Sequence, residues 1–108
     1  MEQIKIIEKR GPNYALLEVT GTINSYTCTE FQAKVYELIK ETNLVLDLSM
    51  VINISSSGLG VLMAAINDGK EAENVLYVMK PSEIVRLAIE STGFSDLFSI
   101  IHSLTEVV

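Results

Sequence analysis

Residues 44–62 read LVLDLSMVINISSSGLGVL. Leu44-Val45-Leu46-Asp47-Leu48 is nearly all apolar, the pattern of a strand covered on both faces. A short connection follows, then Ser55, Ser56, Ser57 and Gly58, and at once an apolar periodicity of helical spacing. A strand that feeds a serine-rich helix start places hydroxyls where backbone N–H groups lack intrahelical acceptors and the helix dipole is positive. A phosphate is well tolerated there. The serines therefore read in two compatible ways. They cap the helix, or one caps while another is a phosphorylation switch.

Working outward, the helix after the serines runs from about Ser57 to Glu71. Leu59, Leu62, Met63 and Ile66 fall at i, i+3, i+4 and i+7 and form a stripe toward the core. Gly58 and Gly60 are poor helix formers, so their place in the first turn implies close approach to the sheet or to a partner. Upstream, Gln3 to Lys9 and Tyr14 to Thr20 read as strands. Arg10-Gly11-Pro12-Asn13 between them is turn chemistry, which predicts a hairpin. Gly21 is expected to end the second strand. Thr27 and Glu30 have capping-box spacing and open a helix to about Lys40, with Phe31, Val35, Leu38 and Ile39 on one face.

Downstream, Asn74 to Met79 reads as a strand. A third helix starts at Pro81-Ser82-Glu83, with Ser82 as N-cap, Ile84, Leu87 and Ala88 inward and Gly93 just past its end. Phe98 to Ile101 is a short last strand, and Ser103 with Glu106 repeats the capping-box pattern, so the tail reads as a short helix. The order β-β-α-β-α-β-α-β implies an α/β fold in a single domain over residues 1–108. The leading hairpin supplies an antiparallel strand, and helical crossovers make the later strands parallel and right-handed.

Composition narrows the function. The chain has 108 residues, 48% of them hydrophobic, a net charge of −6 and a pI near 4.6. Eight Lys and Arg are scattered without a basic run, which argues against nucleic acid and against an anionic membrane surface as partners. No apolar run approaches the roughly 20 residues of a spanning helix. Met1-Glu2-Gln3-Ile4-Lys5 is not the start of a signal peptide, so a cytoplasmic protein is expected. Cys28 is alone and cannot form an internal disulfide; a small helix-start or core residue is the simplest reading.

Catalysis finds little support. His102 is the only histidine, Ser57 has no sequence-evident base, and no G-x-S-x-G elbow is present. Neither a Cys/His zinc cluster nor a G-x-x-x-x-G-K-[ST] loop occurs. The expectation is a binding protein without enzymatic activity, metal or cofactor. Met50, Val51, Ile52 and Ile54, just before the serines, read either as core or as part of a partner-binding face.

Asp47-Leu48-Ser49 followed by Ile54-Ser55-Ser56-Ser57-Gly58-Leu59-Gly60 resembles the pattern of the STAS family, the anti-sigma factor antagonists of bacteria. That pattern is a strand ending in D-[LF]-S, then [IM]-D-S-[SAT]-G-[LIV]-G. Gly21-Thr22-Ile23-Asn24 is similar to a second family element, usually G-x-[IL]-D. Ser55 and Asn24 stand where the pattern has acids, which leaves the site less acidic before any modification.

The resemblance implies a mixed sheet, leading hairpin then parallel strands, packed with three to four helices. It implies that an anti-sigma factor serine kinase is bound and phosphorylates Ser57, and that a serine phosphatase reverses the change. Asn24, Ser55, Ser56, Ser57, Gly58, Leu59 and Gly60 would form the partner-binding surface, and the ATP would belong to the kinase. The alternative is a STAS scaffold that is never phosphorylated, a subunit of a regulatory or transport assembly. A small-ligand or nucleotide-binding module is weaker still.

Overall fold

A computed structural model of the protein describes residues 3–107. Met1 and Glu2, on which the amino-terminal reading partly rests, and Val108 lie outside the described residues. Five strands form one sheet in chain order: β1 (Ile4–Arg10), β2 (Tyr14–Ile23), β3 (Asn43–Ile54), β4 (Leu76–Met79) and β5 (Ser99–Ile101). The β1–β2 pair is antiparallel, and β2, β3, β4 and β5 run parallel to one another. The helices α1 (Cys28–Glu41), α2 (Ser56–Glu71) and α3 (Glu83–Ser91) fill the crossovers. This is the mixed sheet expected from the sequence. Among the described residues no helix is long and apolar enough to cross a membrane.

All three helices pack on one face of the sheet. Phe31, Val35, Leu38 and Ile39 of α1, Val61, Leu62 and Ala65 of α2, and Val85 and Ile89 of α3 join Leu17, Leu46, Leu48 and Val78 in one buried cluster. The opposite face has a smaller cluster of Leu16, Val45, Tyr77, Met79 and Ile101, against which Leu104 and Val107 of the carboxyl-terminal segment pack. That segment is held by the Ser103–Glu106 capping box around a single 3₁₀ turn, Leu104–Glu106. At the opposite edge, Glu8 of β1 bonds Lys34 of α1 at 2.9 Å and Arg10 at 3.0 Å. These two cations hold its carboxyl below the ordinary carboxylate range.

Several sequence expectations are corrected. Gly21 does not end β2; the strand continues to Ile23, and Gly21 sits within it at φ +108°, which suits glycine. Thr27 does not cap α1 with its side chain. Its hydroxyl donates to the Thr22 carbonyl at 2.8 Å, and Asn24 Oδ1 accepts from the N–H groups of Tyr26 and Thr27 at 2.8 and 3.1 Å.

Strand β3 is much longer than Leu44–Leu48 and takes in the segment read as a connection. In α2 the buried line is Gly58, Val61, Leu62, Ala65 and Gly69, with Leu59, Met63 and Ile66 partly buried at its flank. In α3, Val85 and Ile89 are buried, while Ile84 and Leu87 are exposed. The Ser82 N-cap sets this rotation: its N–H donates to the Leu48 carbonyl at 3.2 Å and its hydroxyl to that of Val51 at 2.7 Å.

Candidate functional site

Strand β4 stops at Met79, opposite Asp47, and β3 runs on for seven residues to Ile54. Where its neighbour ends, the Asp47 carboxylate accepts from the Ser49 N–H at 3.0 Å and from the Ser49 hydroxyl at 2.7 Å. The Asp-x-Ser element is thus a local clamp at the point where β3 loses β4. Beyond it, β3 stays paired with β2, but the register slips twice. Glu18 pairs with Asp47 and Thr20 with Met50, then Gly21 pairs with Val51 and Thr22 with Asn53. Each slip puts one extra residue in β3, a β-bulge that increases twist and re-aims side chains. Val51 and Ile54 therefore turn into the core, and Met50 and Ile52 turn out to solvent.

The ends of β2 and β3 are tied together by the Ile23–Ile54 pair and by the Ser55 N–H, which donates to the Ile23 carbonyl at 2.8 Å. This brings the β2–α1 turn, with Asn24, beside the start of α2. Ser55 has extended backbone and is the N-cap; its hydroxyl accepts from the Gly58 N–H at 3.4 Å. Ser56 and Ser57 follow as the first two helical residues. Both are exposed, and neither hydroxyl makes a hydrogen bond among the described residues.

The two glycines differ. A Cβ on Gly58 would lie 2.7 Å from Ile23 Cγ2 and 2.8 Å from Ile54 Cγ1, so Gly58 lets α2 settle against the sheet. A Cβ on Gly60 would meet nothing within 4 Å, and Gly60 is exposed. Leu59 is partly buried against the core. Asn24 is half-buried, and its Oδ1 serves the turn into α1. The sequence left Met50, Val51, Ile52 and Ile54 open between core and partner face; the structure divides them, with Val51 and Ile54 in the core and Met50 and Ile52 outside, and adds Tyr26, which the sequence reading missed. The absence of charge from both stretches is the signal that could have found them.

A strand carrying Asp-x-Ser, a bulged extension and a serine-capped helix on a mixed sheet with one helical face define the class: the family model described as "STAS domain" matches residues 4–107, and the chain belongs to that family. It is 28% identical over 96 residues to the anti-sigma-B factor antagonist of Listeria monocytogenes, covering 87% of this chain and 84% of the relative. The fold is that of an anti-sigma factor antagonist from Mycobacterium paratuberculosis, with a TM-score of 0.83 at 24% identity, covering 96% of this chain and 90% of that one. It is also similar to the phosphorylated form of the Bacillus cell fate determinant SpoIIAA, with a TM-score of 0.71 at 13% identity over 94% and 95% of the two chains.

Proposed function

We propose that this chain is an anti-sigma factor antagonist that binds a serine-kinase anti-sigma factor and is released when Ser57 is phosphorylated. One observation carries the reading: Ser55 takes the capping role, which leaves Ser56 and Ser57 exposed in the first turn of α2 with their hydroxyls open to reaction, and the family pattern selects Ser57 of the two. The relatives named above, one of them known in a phosphorylated form, support the same direction.

In the reaction, the Ser57 hydroxyl oxygen attacks the γ-phosphorus of ATP held by the partner. The hydroxyl proton is lost, the bond to the β-phosphate oxygen breaks, and ADP leaves. The chain is ligand and substrate, and contributes no catalysis. A phosphoserine adds about −1.5 to −2 charge. At a helix N-terminus this charge suits the dipole and the free N–H groups, so the domain stays folded. Within an interface the same group is bulky and costly to desolvate, so the partner leaves. A serine phosphatase restores the first state, and the cycle runs in the cytoplasm.

Two variants test this. Ser57→Asp should lose tenfold or more in affinity for the kinase, about 1.4 kcal/mol, and Ser57→Ala should bind near wild type. Thermal melts should show both folded, since a negative charge in the first turn is favourable by about 0.3–1 kcal/mol. With kinase and ATP, intact mass should rise by one phosphate, placed on Ser57 by fragmentation. Phosphate on Ser55 or Ser56 alone would move the switch. Equal affinities of the two variants with no phosphate on any serine would leave the scaffold reading.

A further inference from the structure

The eight basic and fourteen acidic residues of this acidic chain are unevenly placed. None lies between Glu18 and Glu30, and none between Asp47 and Asp68. The structure brings these two uncharged stretches together, because the end of β2 pairs with the extension of β3 and Ser55 bonds Ile23. They carry the three most exposed large apolar side chains among the described residues: Tyr26 at 88%, Ile52 at 68% and Met50 at 63%.

The exposure of Met50 and Ile52 is built in. Each is turned outward by one of the two bulges of β3, while Val51 and Ile54 between and beyond them stay in the core. Among the other, less exposed apolar side chains, Ile84 and Leu87 on α3 are interspersed with Glu83, Arg86 and Glu90, and the last two form an ion pair at 2.7 Å.

We propose that the surface of these two uncharged stretches, with Tyr26, Met50 and Ile52 as anchors beside the helix start of Ser57, is the core of the partner interface, with Lys80 and Glu83 on either side of the anchored Ser82 at its rim, and that the partner face it takes is itself apolar and uncharged rather than basic. The inference deepens, and rests on, the reading of the chain as an antagonist of an anti-sigma factor kinase. Depletion of charge with aromatic and methionine side chains exposed is the composition of an interface core. A few such anchors usually carry most of the affinity. A chain of net charge −6 would otherwise select a basic partner; here no fixed charge in the two stretches faces one.

Asn24 and Ser55 fit this description. The Asn24 carboxamide oxygen and the Ser55 hydroxyl accept bonds within the turn and the cap and bring no charge to the interface. A phosphate on Ser57 would then be the only charge in either stretch, pressed against a face with nothing to solvate it.

Calorimetric titration of the unphosphorylated full chain against the serine-kinase anti-sigma factors of the same genome, at 50 and 500 mM NaCl, tests the inference. The dissociation constant should change less than fivefold between the two salts. Ile52→Ser and Met50→Ser should each weaken binding tenfold or more with unchanged melts, and Leu87→Ser on α3 should bind within twofold of wild type. A salt-dependent loss of fivefold or more, or wild-type binding by both Ile52→Ser and Met50→Ser, overturns the inference. If Ser57→Asp still releases the kinase in that case, the antagonist reading stands and the partner face is charged. Absence of binding by the wild-type chain to every such kinase overturns the antagonist reading and this inference together. The salt series needs no variant, so a misfolded substitution does not remove the test.

Discussion

The parallel strands begin and end in different chemistry. Where they begin, side chains are spent on closing the fold. Asn43 donates through Nδ2 to the Asn13 carbonyl at 3.1 Å and accepts the Val75 N–H at 2.9 Å, bridging the hairpin turn to the start of β4. Asn74 Nδ2 donates to the Ile39 carbonyl at 2.8 Å. Helix α2 ends here in a Schellman turn, with the Asn74 N–H on the Gly69 carbonyl at 2.7 Å and the Glu73 N–H on that of Lys70 at 3.3 Å. Glu73 takes the left-handed conformation, φ 61°, although it is not glycine. Where the strands end, Ser56 and Ser57 are exposed and large apolar side chains face water. The beginnings also expose Val75, Phe94 and Leu97, but there the asparagine side chains are spent on the fold, whereas at the ends the Ser56 and Ser57 hydroxyls are left for something to bind.

The largest effect that sharpens this contrast lies just beneath the open end. Gly58→Ala would put a methyl group within 2.8 Å of Ile23 and Ile54, both buried. Overpacking of this kind costs about 1–3 kcal/mol. The better helix propensity of alanine returns at most about 1 kcal/mol. A net loss of about 1 kcal/mol, and at most about 2, is expected in urea denaturation. A neutral or stabilised variant would mean that the first turn of α2 stands off the sheet, and the cap geometry at Ser55 would have to be drawn again.

The closed end should give about 1 kcal/mol. Asn43→Ala removes two hydrogen bonds whose freed partners sit near the surface and can turn to water, so the loss is near the net value for one bond. Exchange of the Val75 amide with deuterium should quicken in step with the lost stability. An unchanged denaturation midpoint would show that side chains at the strand beginnings add no more to the fold than those at the ends, and the contrast would fall.

The same contrast explains what could be read in the sequence. The hairpin, the parallel order, the Ser82 cap and Gly93 past α3 follow from local patterns, and the structure holds all of them. The phase of α3 was not legible, because both Ile84, Leu87, Ala88 and Val85, Ala88, Ile89 satisfy helical spacing. The anchoring of Ser82 on Leu48 and Val51 decides between them, and that is a long-range fact. The extension of β3 hid for a related reason. Two bulges break the period of two, so Met50-Val51-Ile52-Asn53-Ile54 alternates with neither face. Asn24 and Thr27 are both capping residues three apart, and only the tertiary bond from Thr27 to Thr22 shows which of them serves the turn. The serines were legible as a cap, and their placement follows from Gly58 on the sheet.

The smallest effect separates the two sides of one helical turn. Gly60 is exposed, and a Cβ there would meet nothing within 4 Å. With no fold constraint to satisfy, Gly60→Ala should gain the ordinary helix advantage of alanine, about 0.5–1 kcal/mol in urea denaturation. Gly58→Ala, two residues earlier, should move the other way. Opposite signs for one chemical change would show that Gly58 serves the sheet and that Gly60 does nothing for the free protein. If a partner closes over this turn, the alanine at 60 should weaken kinase binding while it stabilises the fold. Binding unchanged alongside added stability would move the interface off Gly60 and leave it centred on Ser57 and the bulged end of β3. A loss of stability would mean that the fold constrains the outer side of the turn along with the inner, against the division of labour argued for this end of the molecule.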